Sequence, residues 1–521
     1  MSAKKLPIFP TEVRSMEQVR VLPNDEFNQA LVANVAPPDW QNPKPTGRYN
    51  LVVLGAGTAG LITAAGAAGL GAKVALIERH LLGGDCLNVG CVPSKAVIRS
   101  SRAIGDARHA EAFGVSADDA RADFGAVMRR MRRLRARISA NDAARRYRDE
   151  KQVDVYLGDG RFTGPDTVEV GGQTLRFKKA VIATGARALH PLIPGLAEVG
   201  FLTNETVFSL TERPPRLGVI GGGPIGCELA QAFQRLGCQV TLLHKAAHIL
   251  NREDGDAAEI VQRAFTRDGI ALELSAALLS ARREGADKVL RLRRADGAEA
   301  EVRVDEILVG AGRAPNVEGL GLHVVGVDYD AKRGVQVDDH LRTTNPRIFA
   351  CGDICMDWKF THAADFAARI VIQNALFFGR KKLSALRMPW CTYTDPEIAH
   401  VGLYARDAET RGIAVDTYVR PLREVDRAIV DGEDEGFVKI VTKKGTGEIL
   451  GATIVGRHAG DMISEVTLAM VAKVGLGALA NVIHPYPTQA EAIRQVGDLY
   501  NRTRLTPTVK KIFNRLMALQ R

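Results

Sequence analysis

One pattern occurs twice in this 521-residue chain. Residues 50–78 read NLVVLGAGTAGLITAAGAAGLGAKVALIE, and residues 216–244 read RLGVIGGGPIGCELAQAFQRLGCQVTLLH. Each segment runs from an apolar strand through a glycine-rich turn into an Ala/Leu-rich helix, and then into a second apolar strand. This order predicts a βαβ unit with parallel strands and a right-handed crossover. Because both copies have the same spacing, they predict two dinucleotide-binding domains in one chain.

The first copy carries the residue types that a pyrophosphate site needs. Gly55 allows the tight turn, Gly57 lets the backbone approach a pyrophosphate, and Gly60 permits close packing of helix on strand. Glu78, at the end of the second strand, can accept hydrogen bonds from a ribose hydroxyl. Asp353, in the strand-end context IFACGD, is a candidate partner for the ribityl chain of a flavin.

The second copy repeats the turn but changes the end of the second strand. Gly221, Gly223 and Gly226 take the three glycine positions, and His244 and Lys245 replace the acidic residue. A basic cluster attracts the 2′-phosphate of NADPH, which a carboxylate would repel. The pattern therefore favours NADPH over NADH. The alternative is that these are ordinary solvated charges and that either nucleotide serves.

The segment GGDCLNVGCVPSKA, residues 83–96, holds Cys86 and Cys91 five positions apart. An ideal helix would separate them by about 7.5 Å along its axis, whereas a disulfide needs Cα atoms about 4.4–6.8 Å apart. We therefore expect the segment to leave helical geometry, with Gly90 supplying the freedom. We also expect a helix to begin beside Cys91 and to lower the pKa of its thiol. Two buried, unreactive thiols are the alternative.

Composition sets wider limits. The chain has no apolar stretch of about 18 residues and no apolar signal-peptide core, so we expect a cytoplasmic protein without membrane insertion. Net charge is +10, much of it in residues 129–148. That run suggests either a nucleic-acid or membrane-surface patch, or a solvated helix with Met131, Leu134 and Ile138 as its apolar stripe. Because no aromatic platform accompanies the run, the helix is favoured and no nucleic-acid partner is expected.

The run GGDCLNVGCVPSK resembles the redox-active motif of the FAD-dependent pyridine nucleotide–disulfide oxidoreductases. This class I family includes mercuric reductases and dihydrolipoyl dehydrogenases, the branch that the chain resembles most. The motifs GAGTAG, VIATGA, GGGPIGCELAQAF, GAGRAPN, ACGD and YTDPEIAHVG follow in the family's order, so the resemblance covers nearly all of residues 47–510. It implies an enzyme with FAD and NADPH as cofactors, NADH being less suited, and a homodimer.

Matched position by position, the resemblance also implies roles for individual residues. Cys91 takes the place of the flavin-facing thiol, and Cys86 that of the thiol that attacks the substrate. Lys95 is expected near flavin N5, paired with Glu228, because a cation there stabilises negative charge on the reduced ring. Further cofactor contacts are implied at Gly84, Thr184 and Gly185 for FAD and at Gly312 for NAD(P)H.

One motif departs from the family. Disulfide reductases use a His–Glu pair in a His-Pro-Thr-x-x-Glu motif, but this chain reads HPYPTQAE, which places Tyr486 at the base position with Glu491. A phenol with a pKa of about 10 is a poor general base near neutrality, whereas imidazole at about 6.5 is well matched. We therefore expect slow turnover of dihydrolipoamide or glutathione disulfide. The alternative is that His484 moves in as the base.

The electron acceptor is left open. A Tyr at this position is what mercuric reductases carry, and thiolates suit soft metal ions, but the last Cys of the sequence is Cys391, so a C-terminal Cys pair is missing. We expect a small thiol-reactive acceptor: a soft metal ion, a disulfide or a quinone. The alternatives are a dihydrolipoyl dehydrogenase-like enzyme and a flavoprotein redox sensor with low turnover. Cys351, Cys355 and Asp357 do not form a recognised metal site, and no resident metal is expected.

The predicted fold class is α/β, with two Rossmann-like domains and a C-terminal α+β domain. The expected order along the chain has five parts. They are an irregular extension (1–46), the first part of the FAD domain with the redox disulfide (47–195), an NAD(P)H domain (196–310), the second part of the FAD domain (311–387) and a dimerisation domain (388–521).

Overall fold

The structure is a computed structural model and describes residues 19–521. The chain divides into two compact units. The first unit holds the described residues up to Asn88 together with Arg135–Gly185 and Pro315–Arg380. The second unit holds Val89–Leu134, Ala186–Ala314 and Lys381–Arg521. Among residues 19–521, no helix is both long and apolar enough to cross a bilayer.

A seven-stranded sheet forms the centre of the first unit. Its central strands are parallel and include the two strands of the first glycine-rich repeat, and an antiparallel hairpin extends one edge. The order across the sheet is Asp154–Leu157, Val74–Glu78, Arg48–Leu54, Gln173–Ile182, Thr167–Val170 and Arg161–Gly164, with Ile348–Ala350 also paired to Gln173–Ile182. The carboxyl ends of the parallel strands therefore meet at one edge, where open α/β sheets bind ligands.

Helices Thr58–Gly69 and Thr361–Leu376 pack together in this unit. Gly66 leaves room for this packing, because a Cβ there would stand 2.6 Å from Cδ1 of Ile372. Within the core of this unit, Phe162 and Phe177 meet edge to face with centroids 5.9 Å apart. The unit also contains helices Gly84–Asn88 and Ala144–Asp149 and the short strands Tyr329–Asp330 and Gly334–Val335.

The extension was expected to be irregular, and this was wrong for residues 26–35. Glu26–Val35 is an α-helix that begins at Asp25, whose side chain accepts from the N–H of Asn28 at 2.9 Å. Leu31 and Val35, four positions apart, are fully buried against the unit, which drives the helix to form. Residues 1–18 of the predicted extension lie outside the described part of the chain.

The second unit contains the second glycine-rich repeat. Its parallel sheet has the order Ala271–Glu273, Gln239–Leu243, Arg216–Ile220 and Glu306–Val309, beside an antiparallel sheet of Ala277–Glu284, Asp287–Arg293 and Glu299–Val304. The helices are Cys91–Arg108, Leu196–Val199, Pro224–Arg235 and Gly255–Arg267. Short strands Ala186–Ala188 and Arg313–Pro315 lie where the chain passes between the units.

The C-terminal part of the second unit mixes strands and helices, as predicted. Its antiparallel sheet has the order Pro389–Thr392, Glu397–Gly402, Ile449–Gly456, Phe437–Lys443 and Val415–Pro421. The helices are Ala405–Thr410, Asp426–Val430, Ala459–Val471, Leu476–Leu479, Glu491–Thr503 and Pro507–Leu519. The α/β fold class with an α+β C-terminal part is confirmed.

The basic run falls mainly on helices Phe124–Ser139 and Ala144–Asp149. Met131 is fully buried, as the apolar stripe requires, but Ile138 is exposed. Arg132 and Arg135 are buried, so the run is not simply a solvated face. Arg135 donates to the backbone oxygen of Asn88 at 2.6 Å and to Oδ1 of Asn28 at 2.7 Å, which explains why its charge is tolerated inside.

Candidate active site

The carboxyl edge of the first unit's sheet collects the residues predicted to hold FAD. Leu54, Glu78, Ile182 and Ala350 end adjacent strands, in a register that aligns Leu54 with both Ile77 and Ile182. The residues at or just beyond these ends are Gly55, Glu78, Thr184, Gly185 and Asp353. The sheet therefore places the predicted contacts from four separate segments along one edge.

The glycine turn at this edge tolerates no side chain at its key positions. A Cβ on Gly60 would stand 1.8 Å from the backbone oxygen of Gly55. Gly55 has φ +98, and a Cβ there would lie 2.4 Å from the oxygen of Ala183. Gly84, at φ +56, approaches Gly57 so closely that a Cβ would meet its Cα at 2.6 Å. The turn is therefore a bare backbone cradle before a helix N-terminus, which suits the pyrophosphate of FAD.

Glu78 shapes this cradle directly. Its Oε2 accepts the N–H of Ala56 at 2.7 Å, and its Oε1 accepts the N–H of His80 at 2.8 Å. Burial raises the pKa of Glu78, and these backbone donors oppose the rise. The carboxyl group thus holds the glycine turn in place, in addition to the ribose contact expected from the sequence.

The redox segment bends where the cysteine spacing predicted. Cys86 lies in the short helix Gly84–Asn88, and Asn88 ends that helix by donating to the backbone oxygens of Leu82 and Gly84. Gly90 has non-helical φ −127 and ψ −114, and Cys91 is the first residue of helix Cys91–Arg108, which we call the redox helix. The predicted break at Gly90 and helix start at Cys91 are confirmed. Because Cys91 lies at a helix N-terminus, the helix dipole favours its thiolate.

Lys95 and Glu228 form the ion pair expected from the sequence. Nζ of Lys95 donates to Oε2 of Glu228 at 2.7 Å, and only 7% of the Glu228 side chain is exposed. Oε1 of Glu228 accepts the N–H of Tyr393 at 3.0 Å, and the Tyr393 ring lies 4.6 Å from the Lys95 ammonium. Burial lowers the pKa of Lys95, but the Glu228 carboxylate and the nearby Cys91 and Cys391 together raise it, so the net pKa is raised. Lys95 is therefore a fixed cation one turn beyond Cys91.

Tyr393 and its neighbours are site residues that the sequence analysis did not single out. Asp395 accepts from Arg235 at 2.6 Å, and Arg235 also donates to Asp268 at 2.9 Å, with all three side chains mostly buried. The segment that carries Tyr393 is thereby bound to helix Pro224–Arg235. Its motif, YTDPE, was noted only for its place in the family order. The available signal was its acidic and aromatic residues between two short strands.

The second glycine turn repeats the geometry of the first. A Cβ on Gly226 would stand 1.9 Å from the oxygen of Gly221, and one on Gly221 would lie 2.6 Å from the oxygen of Gly310. A Cβ on Gly223 would meet no atom within 4 Å, so this position opens onto space where a pyrophosphate fits. Gly312 has φ +117, and its oxygen accepts from Leu189 at 3.0 Å in the wall of the same unit.

His244 does not act as the cation that the basic-cluster interpretation required. Its Nδ1 accepts the N–H of Gly222 at 3.0 Å, so the ring is held against the glycine turn as a neutral imidazole. Burial lowers the pKa of His244, and the nearby His248 and Lys245 lower it further. The positive charge next to this strand end comes from the exposed Lys245.

The residues of the HPYPTQAE motif are separately engaged. The His484 ring is 6% exposed, and its Nε2 lies 3.1 Å from both carboxylate oxygens of Glu465. Tyr486 is 71% exposed and donates to Asp426 at 2.8 Å, which raises the pKa of its phenol. Glu491 pairs with Arg494 at 2.7 Å. Within the described residues of one chain, the structure does not bring His484, Tyr486 and Glu491 into mutual hydrogen bonds.

Two nucleotide cradles and a cysteine pair before a helix define a flavin-dependent oxidoreductase. Residues 49–368 match the family model of the pyridine nucleotide-disulphide oxidoreductases, and residues 388–496 match the family's dimerisation domain. The chain belongs to this family. It is therefore an FAD-dependent oxidoreductase that takes electrons from NAD(P)H and carries a dimerisation domain.

Individual relatives point to two branches of the family. A mercuric reductase of Bacillus cereus is 34% identical over 454 residues, which cover 86% of this chain and 70% of that protein. A dihydrolipoyl dehydrogenase of Geobacillus stearothermophilus is 33% identical over 86% of this chain and 95% of its own length. Among solved structures, the HOCl-induced flavoprotein disulfide reductase RclA of Escherichia coli superposes with a TM-score of 0.77 at 27% identity, over 87% of this chain and 100% of RclA.

Proposed function

We propose that this protein is an NADPH-dependent reductase that passes electrons through FAD to a Cys86–Cys91 disulfide and from there to a small soft metal ion such as Hg(II). FAD, when bound, supplies a two-electron carrier between the nicotinamide and the disulfide. The chain's own residues provide the two cradles, the thiols and the Lys95 cation. After reduction, the two thiols are the soft ligands that would hold the ion.

The observation that carries this proposal is the state of the His484–Tyr486 motif. Reduction of a carrier disulfide needs an acid–base group that titrates near neutrality. Tyr486, at the aligned base position, has a pKa raised by Asp426, and His484 pairs with Glu465 and not with Glu491 of the motif. The aligned position therefore carries no group that titrates near neutrality, whereas a metal ion needs no proton from the protein to accept electrons. The motif thus supports a metal acceptor over a dithiol carrier.

The mercuric reductases among the relatives agree with this choice, and the dihydrolipoyl dehydrogenases match almost equally well. Mercuric reductases are among the most similar curated proteins at 34% identity over most of this chain. RclA is also known as a Cu(II) complex, and that structure superposes with a TM-score of 0.78. The names of these relatives, mercuric reductase and the Cu(II) complex of RclA, associate proteins similar to this chain with soft or borderline metal ions.

The test is an acceptor screen with FAD-loaded protein and NADPH. We expect Hg(II), buffered by a small thiol, to stimulate NADPH oxidation at least tenfold over lipoamide or glutathione disulfide. Cys86→Ser and Cys91→Ser should each abolish that stimulation, while Cys238→Ala, a core thiol of the second unit, should leave it within twofold. Faster oxidation with lipoamide than with any metal ion would instead establish a dihydrolipoyl dehydrogenase-like enzyme, and no stimulation by any acceptor would favour a redox sensor.

The NADPH preference is a separate part of the proposal. Lys245 is exposed at the residue after His244, where a 2′-phosphate would be expected, and no acidic side chain occupies that position. NADPH should therefore have the higher kcat/KM in the same screen. A higher kcat/KM for NADH would contradict it without affecting the metal assignment.

A further inference from the structure

Helix Pro507–Leu519 has an apolar stripe that residues 19–506, the rest of the described chain, leave exposed. None of its residues is buried. Ile512, Phe513, Leu516 and Met517 each have about half of their surface exposed, and with Val509 they follow the i, i+3, i+4, i+7, i+8 spacing of one helix face. An exposed apolar stripe of this kind on a surface helix indicates a binding surface.

The helix is encoded by its own sequence. Thr506 caps it, accepting from the N–H of Val509 at 3.3 Å, and Pro507 takes the first helical position, where its missing N–H costs nothing. A 13-residue helix without tertiary packing is marginal in water even with good caps. Its local start signals and its exposed apolar stripe therefore indicate that the helix is stabilised by binding to another surface.

Charge identifies the kind of partner. The last acidic residue of the sequence is Asp498, and the 23 residues after it contain six cations: Arg502, Arg504, Lys510, Lys511, Arg515 and Arg521. At 3.6 residues per turn, Lys511 and Arg515 lie on the side of the helix opposite Phe513 and Leu516, and Lys510 flanks the apolar stripe. A helix with an apolar face, cations beside and opposite that face and no acidic residue matches an anionic lipid surface.

Its length determines how it can lie there. Thirteen helical residues span about 20 Å, less than the hydrocarbon thickness of about 30 Å. The helix therefore cannot cross a bilayer and would lie in the plane of the interface with the Phe513 face down. We infer that Pro507–Leu519 docks this enzyme on anionic membrane surfaces.

A second copy of the chain is the competing occupant. The family dimerisation domain matches only residues 388–496 and so ends before this helix begins. To bind this helix, a dimer partner would need a groove that is both apolar and acidic, because the helix contains cations and no acidic residue. The charge pattern favours the lipid surface.

The test is co-sedimentation of the full FAD-loaded protein with vesicles of phosphatidylcholine alone or mixed equally with phosphatidylglycerol. We expect the mixed vesicles to bind at least tenfold more protein, and 500 mM NaCl to remove most of the difference. Two variants should each lower partitioning at least tenfold. One combines Phe513→Ser with Leu516→Ser, and the other combines Lys510→Glu, Lys511→Glu and Arg515→Glu.

The matched control reverses three exposed cations elsewhere: Arg121→Glu, Arg133→Glu and Arg137→Glu together should change partitioning less than twofold. Equal binding to both vesicle types, or an equal loss in this control, would overturn the inference. The inference would also be overturned if the helix variants convert a dimer to a monomer in light scattering while the wild-type protein does not bind vesicles. A second copy of the chain would then be the occupant. Vesicle binding requires no turnover, so this result is independent of the proposed function.

Discussion

Nζ of Lys95 and Oε2 of Glu228 lie 2.7 Å apart, and this pair joins the redox helix to the helix that follows the second glycine turn. Glu228 also accepts the N–H of Tyr393, so one buried carboxylate fixes three segments of the second unit. The ammonium it holds lies one helical turn from Cys91. The same contact therefore stabilises the fold and sets the charge beside the redox thiol.

Glu228→Gln should weaken the fold and test this dual role. Gln keeps an acceptor for Tyr393 but presents no charge to Lys95, which leaves a cation with a 36% exposed side chain without its partner. Because Lys95 is partly exposed, we expect a loss of about 1–2 kcal/mol in the free energy of unfolding, below the value for fully buried pairs. Urea unfolding at pH 7 measures it, with the exposed Glu259→Gln as the control that should change little.

The pH dependence of that loss has a definite sign. Lys95 has a raised pKa in the folded state, so its contribution is complete below the unfolded value of about 10.4 and is lost as pH rises through the folded pKa. The difference between wild type and Glu228→Gln should therefore be constant from pH 6 to 9. If the difference in stability grows across that range, the titration of a group other than Lys95 would be responsible.

The glycine turns, strand ends and helix starts were predictable because their signals are local. Spacing alone indicated the roles of Gly55, Gly60, Gly221 and Gly226. The role of Gly90 was indicated by the geometry that a disulfide between two cysteines five positions apart requires. Helix Glu26–Val35 also had local signals, in the Asp25 cap and the Leu31–Val35 spacing, which the nearby prolines obscured.

The remaining features depend on contacts between distant parts of the sequence. Arg135 was indistinguishable from its solvated neighbours because its partners, Asn28 and Asn88, lie 107 and 47 positions away. His244 was counted as a cation because only the folded turn shows that Gly222 donates to its ring. Charge and periodicity reveal which residues are polar, but not which of them find a buried partner.

Asp142 predicts a pH dependence of the same sign in a lower pH range. It lies 3.0 Å from the point where a Cβ of Gly83 would stand, and burial raises its pKa to about 6. Since the unfolded value is about 3.9, the folded state binds more protons between pH 4 and 6, and its stability falls as pH rises through that range. Asp142→Asn should therefore gain about 2–3 kcal/mol relative to wild type at pH 7.5 and much less at pH 4. Thermal unfolding at both pH values measures this, and the exposed Asp159→Asn should show no such trend.

Arg135→Met should detach the N-terminal helix from the redox segment. The substitution removes the donors to Asn88 and Asn28 and leaves both oxygens buried, which costs about 2–4 kcal/mol. Hydrogen exchange should accelerate most in residues 26–35 and 84–88. Arg133→Met, an exposed neighbour, is the control, and equal acceleration in both variants would mean that the arginine does not link these segments.

Two glycines of the second turn should separate folding from nucleotide binding. Gly226→Ala puts a Cβ 1.9 Å from the oxygen of Gly221 and should yield insoluble or strongly destabilised protein. Gly223→Ala meets nothing within 4 Å, so the protein should fold normally. If a pyrophosphate approaches that backbone, the KM for NADPH should still rise at least tenfold. An unchanged KM in a folded Gly223→Ala protein would place the nucleotide elsewhere.

Lys245→Glu should reverse the nucleotide preference. With His244 neutral against Gly222, the charge of Lys245 is the main attraction next to this strand end for a 2′-phosphate, and a carboxylate there would repel it. We expect kcat/KM for NADPH to fall at least tenfold while that for NADH changes less than threefold. His244→Gln is the matched comparison: because the ring carries no charge, this variant should lower both values together by disturbing the turn. If His244→Gln instead lowers only the NADPH value, the imidazole contacts the phosphate directly, and its lowered pKa in the free protein must rise when the nucleotide binds.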